Sequence, residues 1–153
     1  MSDYQITPLD HDDIERISAI EQRAHLFPWS ASQLAVSPRQ FDYHYVLRLA
    51  TTPSTIIGYF YARCIAGEGE VLNIAIDPDY QGQGWGWVLL NGMIATLRRA
   101  GADSIWLEVR ESNIPAKALY QKHGFRVVHR RQQYYRCADG HREDAWIMEK
   151  RLT

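Results

Sequence analysis

Between an apolar run, Val71 to Ile76, and a helical pattern, Val88 to Leu97, the chain reads Gln-Gly-Gln-Gly-Trp-Gly from Gln81 to Gly86. A strand, a glycine-rich turn and a helix in that order constrain the fold more than any other stretch. Glycine lets the backbone take φ values that side chains resist, and it leaves bare N–H groups at the start of the helix. Those groups and the helix dipole favour an anion. The segment therefore predicts a strand-to-helix junction on which a diphosphate can rest.

The remaining elements place that junction in an α+β sheet. Tyr4 to Thr7 predicts a first strand. Asp10 or Asp12 can cap a helix that carries Ile14, Ile17 and Ile20 on one face and runs to about Ala24. Leu26-Phe27-Pro28-Trp29 interrupts it, because Pro28 biases Phe27 away from helix. Ser30-Ala31-Ser32-Gln33 has the form of a capping box and starts a short second helix. Tyr43 to Ala50, Ile56 to Ile65 and Val71 to Ile76 predict three strands of an antiparallel meander. Its turns are expected at Thr51 to Thr55 and at Gly67-Glu68-Gly69. A helix over Trp85 to Ala100 then ends at Gly101, and a strand follows over Ser104 to Val109. Asn113-Ile114-Pro115 leads into a helix over Ala116 to His123, closed by Gly124. Phe125 to Tyr135 and Asp144 to Leu152 predict two last strands around an Asp139-Gly140 turn. The expectation is one domain over residues 1–153, with a mixed, mostly antiparallel sheet of about six to seven strands and about four flanking helices.

Charge excludes some functions. Lys and Arg number 17 against 18 Asp and Glu, for a net charge of −1. That balance gives no support for nonspecific binding to nucleic acid or to an anionic membrane. The distribution is uneven. Asp3, Asp10, Asp12, Asp13 and Glu15 make the start acidic, and Arg126, Arg130, Arg131, Arg136, Arg142, Lys150 and Arg151 make the last quarter basic. The basic end reads either as solvated faces or as support for an anionic cofactor or acidic partner. Only Cys64 and Cys137 are cysteines, and no Cys/His grouping has metal spacing, so no metal is expected. A reduced cytoplasmic chain is the simplest expectation. The polar, acidic start does not read as a signal peptide, and no apolar run approaches a membrane span.

Three kinds of glycine-rich phosphate loop compete for Gln81 to Gly86. A Walker loop ends in Gly-Lys-Ser/Thr, whereas Gly86 is followed by Trp87. A dinucleotide fingerprint needs a third glycine where Trp87 stands, and it opens a fold rather than following a meander. The third kind fits. Gln81, Gly84 and Gly86, with Asp77-Pro78 before them and Asn113 and Tyr120 after them, resemble the Gln/Arg-x-x-Gly-x-Gly/Ala loop of the GNAT acyltransferase superfamily. The resemblance extends over nearly the whole chain in element order.

Further segments narrow it. Ile20-Glu21-Gln22-Arg23-Ala24-His25, Phe27-Pro28-Trp29-Ser30, Asn73-Ile74-Ala75, Trp106-Leu107-Glu108-Val109-Arg110, Tyr134-Tyr135, Asp139-Gly140 and Arg142-Glu143-Asp144-Ala145 resemble the RimI family, bacterial ribosomal-protein-alanine N-acetyltransferases. The resemblance implies a GNAT-like fold and acetyl transfer from acetyl-coenzyme A (acetyl-CoA) to an alanine-type N-terminal α-amine of a ribosomal protein. It further implies that Gln81, Gly82, Gln83, Gly84, Trp85, Gly86 and Trp87 cradle the pyrophosphate. Ile74, Ala75 and Ile76 then contribute backbone groups to the acetyl-pantetheine arm, on a strand that splays from its neighbour, and the Asn113 side chain touches coenzyme A. The chain departs from the family at Gly82 and Trp87, where basic residues are frequent, and at His141, an extra residue in the final turn.

Acetyl transfer to an amine needs a proton acceptor, a proton donor for the leaving thiolate, and two substrates held in line. Glu108 lies among Ile105, Trp106, Leu107 and Val109. It reads either as an outward-facing residue, alternating with Trp106 and Arg110, or as a general base acting through water. The resemblance points to the base. An α-amine near pKa 7.8 loses its proton at pH 7 for about 1 kcal/mol, against roughly 4.6 for a lysine near 10.4, so a modest carboxylate suffices for an N-terminus. Tyr120 reads as a half-buried packing residue on its helix position alone, and by resemblance as the group that protonates the thiolate. Asn113 is an N-cap by composition. Phe27, Trp29, Tyr134 and Tyr135 offer large contact areas with few rotors, suited either to the core or to gripping a protein N-terminus. The alternatives left open are a GNAT enzyme for a small amine or a lysine side chain, and a non-catalytic acyl-CoA-binding module.

Overall fold

A computed structural model describes residues 2–51 and 53–152. Seven strands form one sheet in the order β1-β2-β3-β4-β5-β7-β6. They are β1 (Tyr4–Pro8), β2 (Asp42–Leu49), β3 (Thr55–Ile65), β4 (Glu68–Ile76), β5 (Ser104–Arg110), β6 (Arg126–Arg136) and β7 (Arg142–Arg151). Four α-helices flank them: α1 (Ile14–Ala24), α2 (Ala31–Leu34), α3 (Trp85–Arg99) and α4 (Ile114–Lys122). This is the mixed, mostly antiparallel architecture expected, since only β4 and β5 run parallel.

Local chemistry sets the helix starts. A 3-10 turn, His11–Asp13, precedes α1, and the Asp10 N–H donates to Asp13 Oδ2 at 2.9 Å. Before α2, the Ser30 hydroxyl accepts the Gln33 N–H at 3.1 Å while Gln33 Oε1 accepts the Ser30 N–H at 2.7 Å. That reciprocal pair satisfies donors a helix of only four residues would otherwise leave bare. Asn113 Oδ1 accepts the Ala116 N–H at 3.3 Å, so α4 starts at Ile114, two residues ahead of the expected start, with Pro115 in its first turn.

Two apolar layers cover the sheet. On one face Leu89, Leu90, Met93 and Leu97 of α3 pack on Phe60, Ile105 and Leu107. On the other, Ile17 and Ile20 of α1 pack on Val46, Tyr59, Tyr61 and Ala75. β3 therefore buries successive residues on both sides, as a central strand must.

The turn expected at Gly67-Glu68-Gly69 is displaced. The chain reverses at Ala66-Gly67, both with positive φ (51° and 82°), and Glu68 and Gly69 already belong to β4. Two central residues of positive φ match the twist of the flanking strands. Gly69 is needed for packing instead: a Cβ there would lie 3.1 Å from Ile105 Cγ1 and 3.2 Å from Ser104 O. β7 likewise begins at Arg142, two residues before the expected start.

The feature that positions the site is a parting of strands. β4 and β5 are registered only at Glu68↔Ser104, Gly69↔Ile105 and Glu70↔Trp106. Beyond Glu70 β4 keeps its pairing with β3 through Ile76, while β5 keeps its pairing with β7 through Arg110. A wedge opens between them.

Candidate active site

The wedge is a cleft of about 530 Å³. β4 supplies one wall with Val71, Leu72, Asn73 and Ile74, and β5 supplies the other with Leu107, Glu108, Val109 and Arg110. The end of α1 and the loop after it bring Glu21, His25, Phe27 and Trp29, α4 brings Tyr120, and β6 brings Tyr135. Of the residues singled out from the sequence, Ile74, Glu108, Asn113, Tyr120, Phe27, Trp29 and Tyr135 thus share one cavity. Tyr134 does not line it. Its ring is exposed on β6, with Arg131 5.0 Å from its centroid and Tyr135 edge-on at 5.1 Å.

The glycine-rich loop follows the free end of β4. Asp77 anchors it: its buried carboxylate binds Arg16 Nη2 at 2.5 Å and Arg23 Nη1 at 3.0 Å from α1, and accepts the Asp79 N–H at 2.9 Å. Gln81 Nε2 donates to Ile76 O at 3.0 Å, so this side chain ties the loop to the strand. Gly82 and Gly84 take φ of 75° and 91°, and Gly84 is the N-cap of α3. No side chain caps that helix and its first turn holds no acidic residue. Gly82, Gln83 and Gly84 are exposed, whereas the Trp85 ring is buried in the core against Tyr4. The loop therefore offers backbone donors to an anion, which fits a diphosphate-bearing substrate such as acetyl-CoA.

Ile76 and Ala75 face the two cores with their side chains, which leaves only their main chain for a ligand. Trp87, at a position where basic residues are frequent in the family, stacks on His123 of the α4 C-terminus at 3.9 Å, with Lys122 Nζ 5.6 Å from its ring. His141 stands in the exposed β6–β7 turn, bonded to Asp139, and does not line the cleft.

The candidate acid–base groups sit on the β5 side. Glu108 is partly exposed, with Oε1 3.5 Å from Arg131 Nη1. Burial, then the Glu108 charge, push the Tyr135 phenol up to about 12. Burial, then Tyr135, push the Tyr120 phenol up to about 12. Both hydroxyls consequently hold their protons at neutral pH, and Tyr120 is available as a proton donor. Arg110 bridges the mouth, its guanidinium carbon 5.3 Å from the Phe27 centroid and 4.4 Å from that of Tyr135.

Several groups escaped the sequence reading. Arg131 stood only in the basic last quarter, and Arg110 only as a strand neighbour of Glu108 in a segment that carries the resemblance. Glu21, His25 and Asn73 stood in recognisable segments without a role, yet they form a hydrogen-bonded chain in the cleft wall. The only local signal was a carboxylate directly after Ile20 on the apolar side of α1. A bulge in β6 was also unforeseen. Pairing with β7 is irregular between Arg131 and Tyr135; there Gln133 takes a φ of 49° and donates its N–H to Asp144 Oδ1 at 3.0 Å. Among the described residues no group of three or more His, Cys, Asp or Glu side chains could hold a metal ion.

Comparison with known proteins adds to this geometry. The model of the acetyltransferase (GNAT) family matches residues 14–125. Over 143 residues the chain is 41% identical to the [ribosomal protein bS18]-alanine N-acetyltransferase of Haemophilus influenzae, covering 94% of this chain and 95% of that one. It is 40% identical to the enzyme of the same name from Escherichia coli K12, with 94% of both chains covered. The crystal structure of the ribosomal-protein-S18-alanine N-acetyltransferase from Escherichia coli superposes with a TM-score of 0.89 at 37% identity, over 99% of this chain and 95% of that one.

Proposed function

The chain belongs to the GNAT acetyltransferase family, and on that premise we propose that it moves acetyl from acetyl-CoA to the N-terminal α-amine of a ribosomal protein, alanine in type. Ribosomal protein bS18, named for its relatives, is the target this reading favours. One observation carries it: Glu108 and Tyr120 line the same cleft, opened where β4 and β5 part, and the glycine-rich loop follows the free end of β4.

In this mechanism the α-amine reacts in its neutral form, having lost its first proton to solvent. The nitrogen lone pair attacks the acetyl carbon and the N–C bond forms, the hydrogen that nitrogen must then shed passes through water to Glu108, and the C–S bond breaks. The Tyr120 hydroxyl gives its proton to the departing sulfur, so coenzyme A leaves as a thiol. No strong base is required, because an α-amine near pKa 7.8 costs only about 1 kcal/mol to deprotonate at pH 7. The backbone of Gln81 to Trp87 holds the pyrophosphate, the main chain of Ile74 to Ile76 pairs with the pantetheine arm, and Asn113 borders the same path. Phe27, Trp29 and Tyr135 surround the acceptor, whereas Tyr134 lies outside the cleft lining. Asn113 Oδ1 already accepts the Ala116 N–H, which leaves its amide nitrogen for a ligand.

The test is thiol release from acetyl-CoA with peptides that begin with Ala, Ser or Met, and with an N-terminally blocked peptide that carries a free lysine. Release with the Ala peptide supports the proposal. Release with lysine or a polyamine alone overturns it, and tight binding of acetyl-CoA without release on any acceptor assigns a binding module instead.

A further inference from the structure

We propose that His25 is a second hydrogen-bond acceptor for the incoming amine, held by Asn73 and Glu21 with Nδ1 open, and that it selects primary amines. The proposal rests on the acetyl transfer described above and adds a residue to it.

Glu21 is 1% exposed and lines the cleft. Every close partner of its carboxylate donates. The Tyr59 hydroxyl and Asn73 Nδ2 (2.9 Å) bond Oε1, and the Trp29 N–H bonds Oε2 at 2.9 Å. A carboxylate among such donors is an acceptor only. This settles the Asn73 amide: its nitrogen faces Glu21, so its carbonyl faces the other way. Asn73 Oδ1 lies 2.9 Å from His25 Nε2. A carbonyl oxygen can only accept, so Nε2 carries the hydrogen. A neutral imidazole has one N–H, and its other nitrogen is an acceptor. Nδ1 of His25 has no protein partner among the described residues. The ring is about a third exposed, in the wall of the cleft that also holds Glu108.

Attack geometry gives that lone pair a use. A reacting primary amine commits its own lone pair to the acetyl carbon, which leaves two N–H hydrogens to be received. Glu108, through water, takes the one that departs as a proton. His25 Nδ1 accepts the one that stays and becomes the N–H of the product amide. No proton moves to His25, and atoms balance as in the transfer itself. A secondary amine has one N–H and cannot use both acceptors.

Two substitutions separate this role from a merely structural clamp on the loop after α1. In His25→Asn the side-chain oxygen falls near the Nδ1 position, while the bond to Asn73 is lost. In His25→Gln an N–H near the Nε2 position is kept and the acceptor is lost. The expected order of kcat/KM on an Ala peptide is wild type, then His25→Asn, then His25→Gln. The last should fall about tenfold, the worth of one hydrogen bond, with acetyl-CoA affinity unchanged. A structural clamp predicts the reverse order of the two variants, and that order, or a fully active His25→Gln, overturns the proposal. A measurement on the unaltered protein stands apart from folding of the variants: an N-methylalanine peptide should react at least about tenfold more slowly than the Ala peptide, and equal rates also overturn the proposal. Wild-type inactivity on all N-terminal peptides removes the acetyl-transfer reading and this one together, whereas failure of the variant order alone leaves the transfer standing.

Discussion

Arg131 holds Nη1 3.5 Å from Oε1 of Glu108, so the carboxylate assigned to receive the amine's proton carries a cation on one side. An incoming amine must share that carboxylate. The two side chains are 48% and 35% exposed, and such a pair is worth at most about 1 kcal/mol. Arg131→Gln should therefore lower KM for an Ala peptide by up to about fivefold and leave kcat nearly unchanged. Steady-state kinetics at low and physiological salt check this. A raised KM would instead make Arg131 a binding group.

Tyr120→Phe should reduce kcat on the order of a hundredfold and change acetyl-CoA affinity little, because in the proposed mechanism it removes a proton donor used only in the reaction. Glu108→Gln should do the same through the other proton. With its phenol at about 12, Tyr120 stays protonated through pH 10 and should add no basic limb to the kcat profile below that pH. Turnover unchanged in Tyr120→Phe would take this hydroxyl out of the mechanism.

Gly84 and Gly86 should respond differently to substitution. Gly84 sits at φ 91°, where an L side chain costs about 1–2 kcal/mol, and a β-branched one costs more. Gly84→Val should lower Tm by about 2–8 °C and weaken acetyl-CoA binding about tenfold or more, as seen by calorimetry. Gly86 lies inside α3, and its added Cβ would meet only Leu119 Cδ2 at 3.2 Å, so Gly86→Ala should cost less stability. Normal acetyl-CoA binding by Gly84→Val would refute backbone capture of the pyrophosphate.

Asp77 gives stability a dependence on acid. Burial pushes its carboxyl up, but the Asp79 N–H and the Arg16 and Arg23 guanidiniums outweigh burial and hold it below the ordinary carboxylate range. A value depressed in the folded state contributes fully above the unfolded value near ~3.9 and is lost as pH falls through the folded value. Denaturant melts should show declining stability below about pH 4, and Asp77→Asn should remove part of that decline. At pH 7 the variant should lose about 1–3 kcal/mol, towards the lower end because both arginines are over a third exposed and screened. A variant with an unaltered acid limb would show that Asp77 does not set it.

Features written in neighbouring residues were legible in the sequence. The Ser30–Gln33 box, the Asn113 cap and the Gly82–Gly84 turn each depend on groups within a few positions. The displaced turn shows the limit of such signals: Ala66 supplies the first positive φ, though nothing in an alanine announces it. Contacts between distant residues were not legible. Glu21 meets Asn73 across 52 positions, and only the packing of α1 on β4 brings them together. Tyr134 and Tyr135 look equivalent in sequence, yet the irregular pairing from Arg131 to Tyr135 leaves Tyr135 lining the cleft and Tyr134 on the outside.

The parting of β4 from β5 also bears on how this sheet exchanges with water. Three registered pairs join the four-stranded half to the three-stranded half. Backbone amides of β4 that face the gap past Glu70 lack the neighbouring strand that slows deuterium uptake elsewhere in a sheet. They should form a stripe of early-exchanging hydrogens flanked by protected ones, as amide exchange would show. A ligand with amides of its own, as the pantetheine arm has, would close that stripe and act as a missing strand. Saturation would then appear as a local rise in protection at the gap-facing amides of residues 71–76 and at the Gln81–Trp87 loop, on top of a global gain in stability set by mass action.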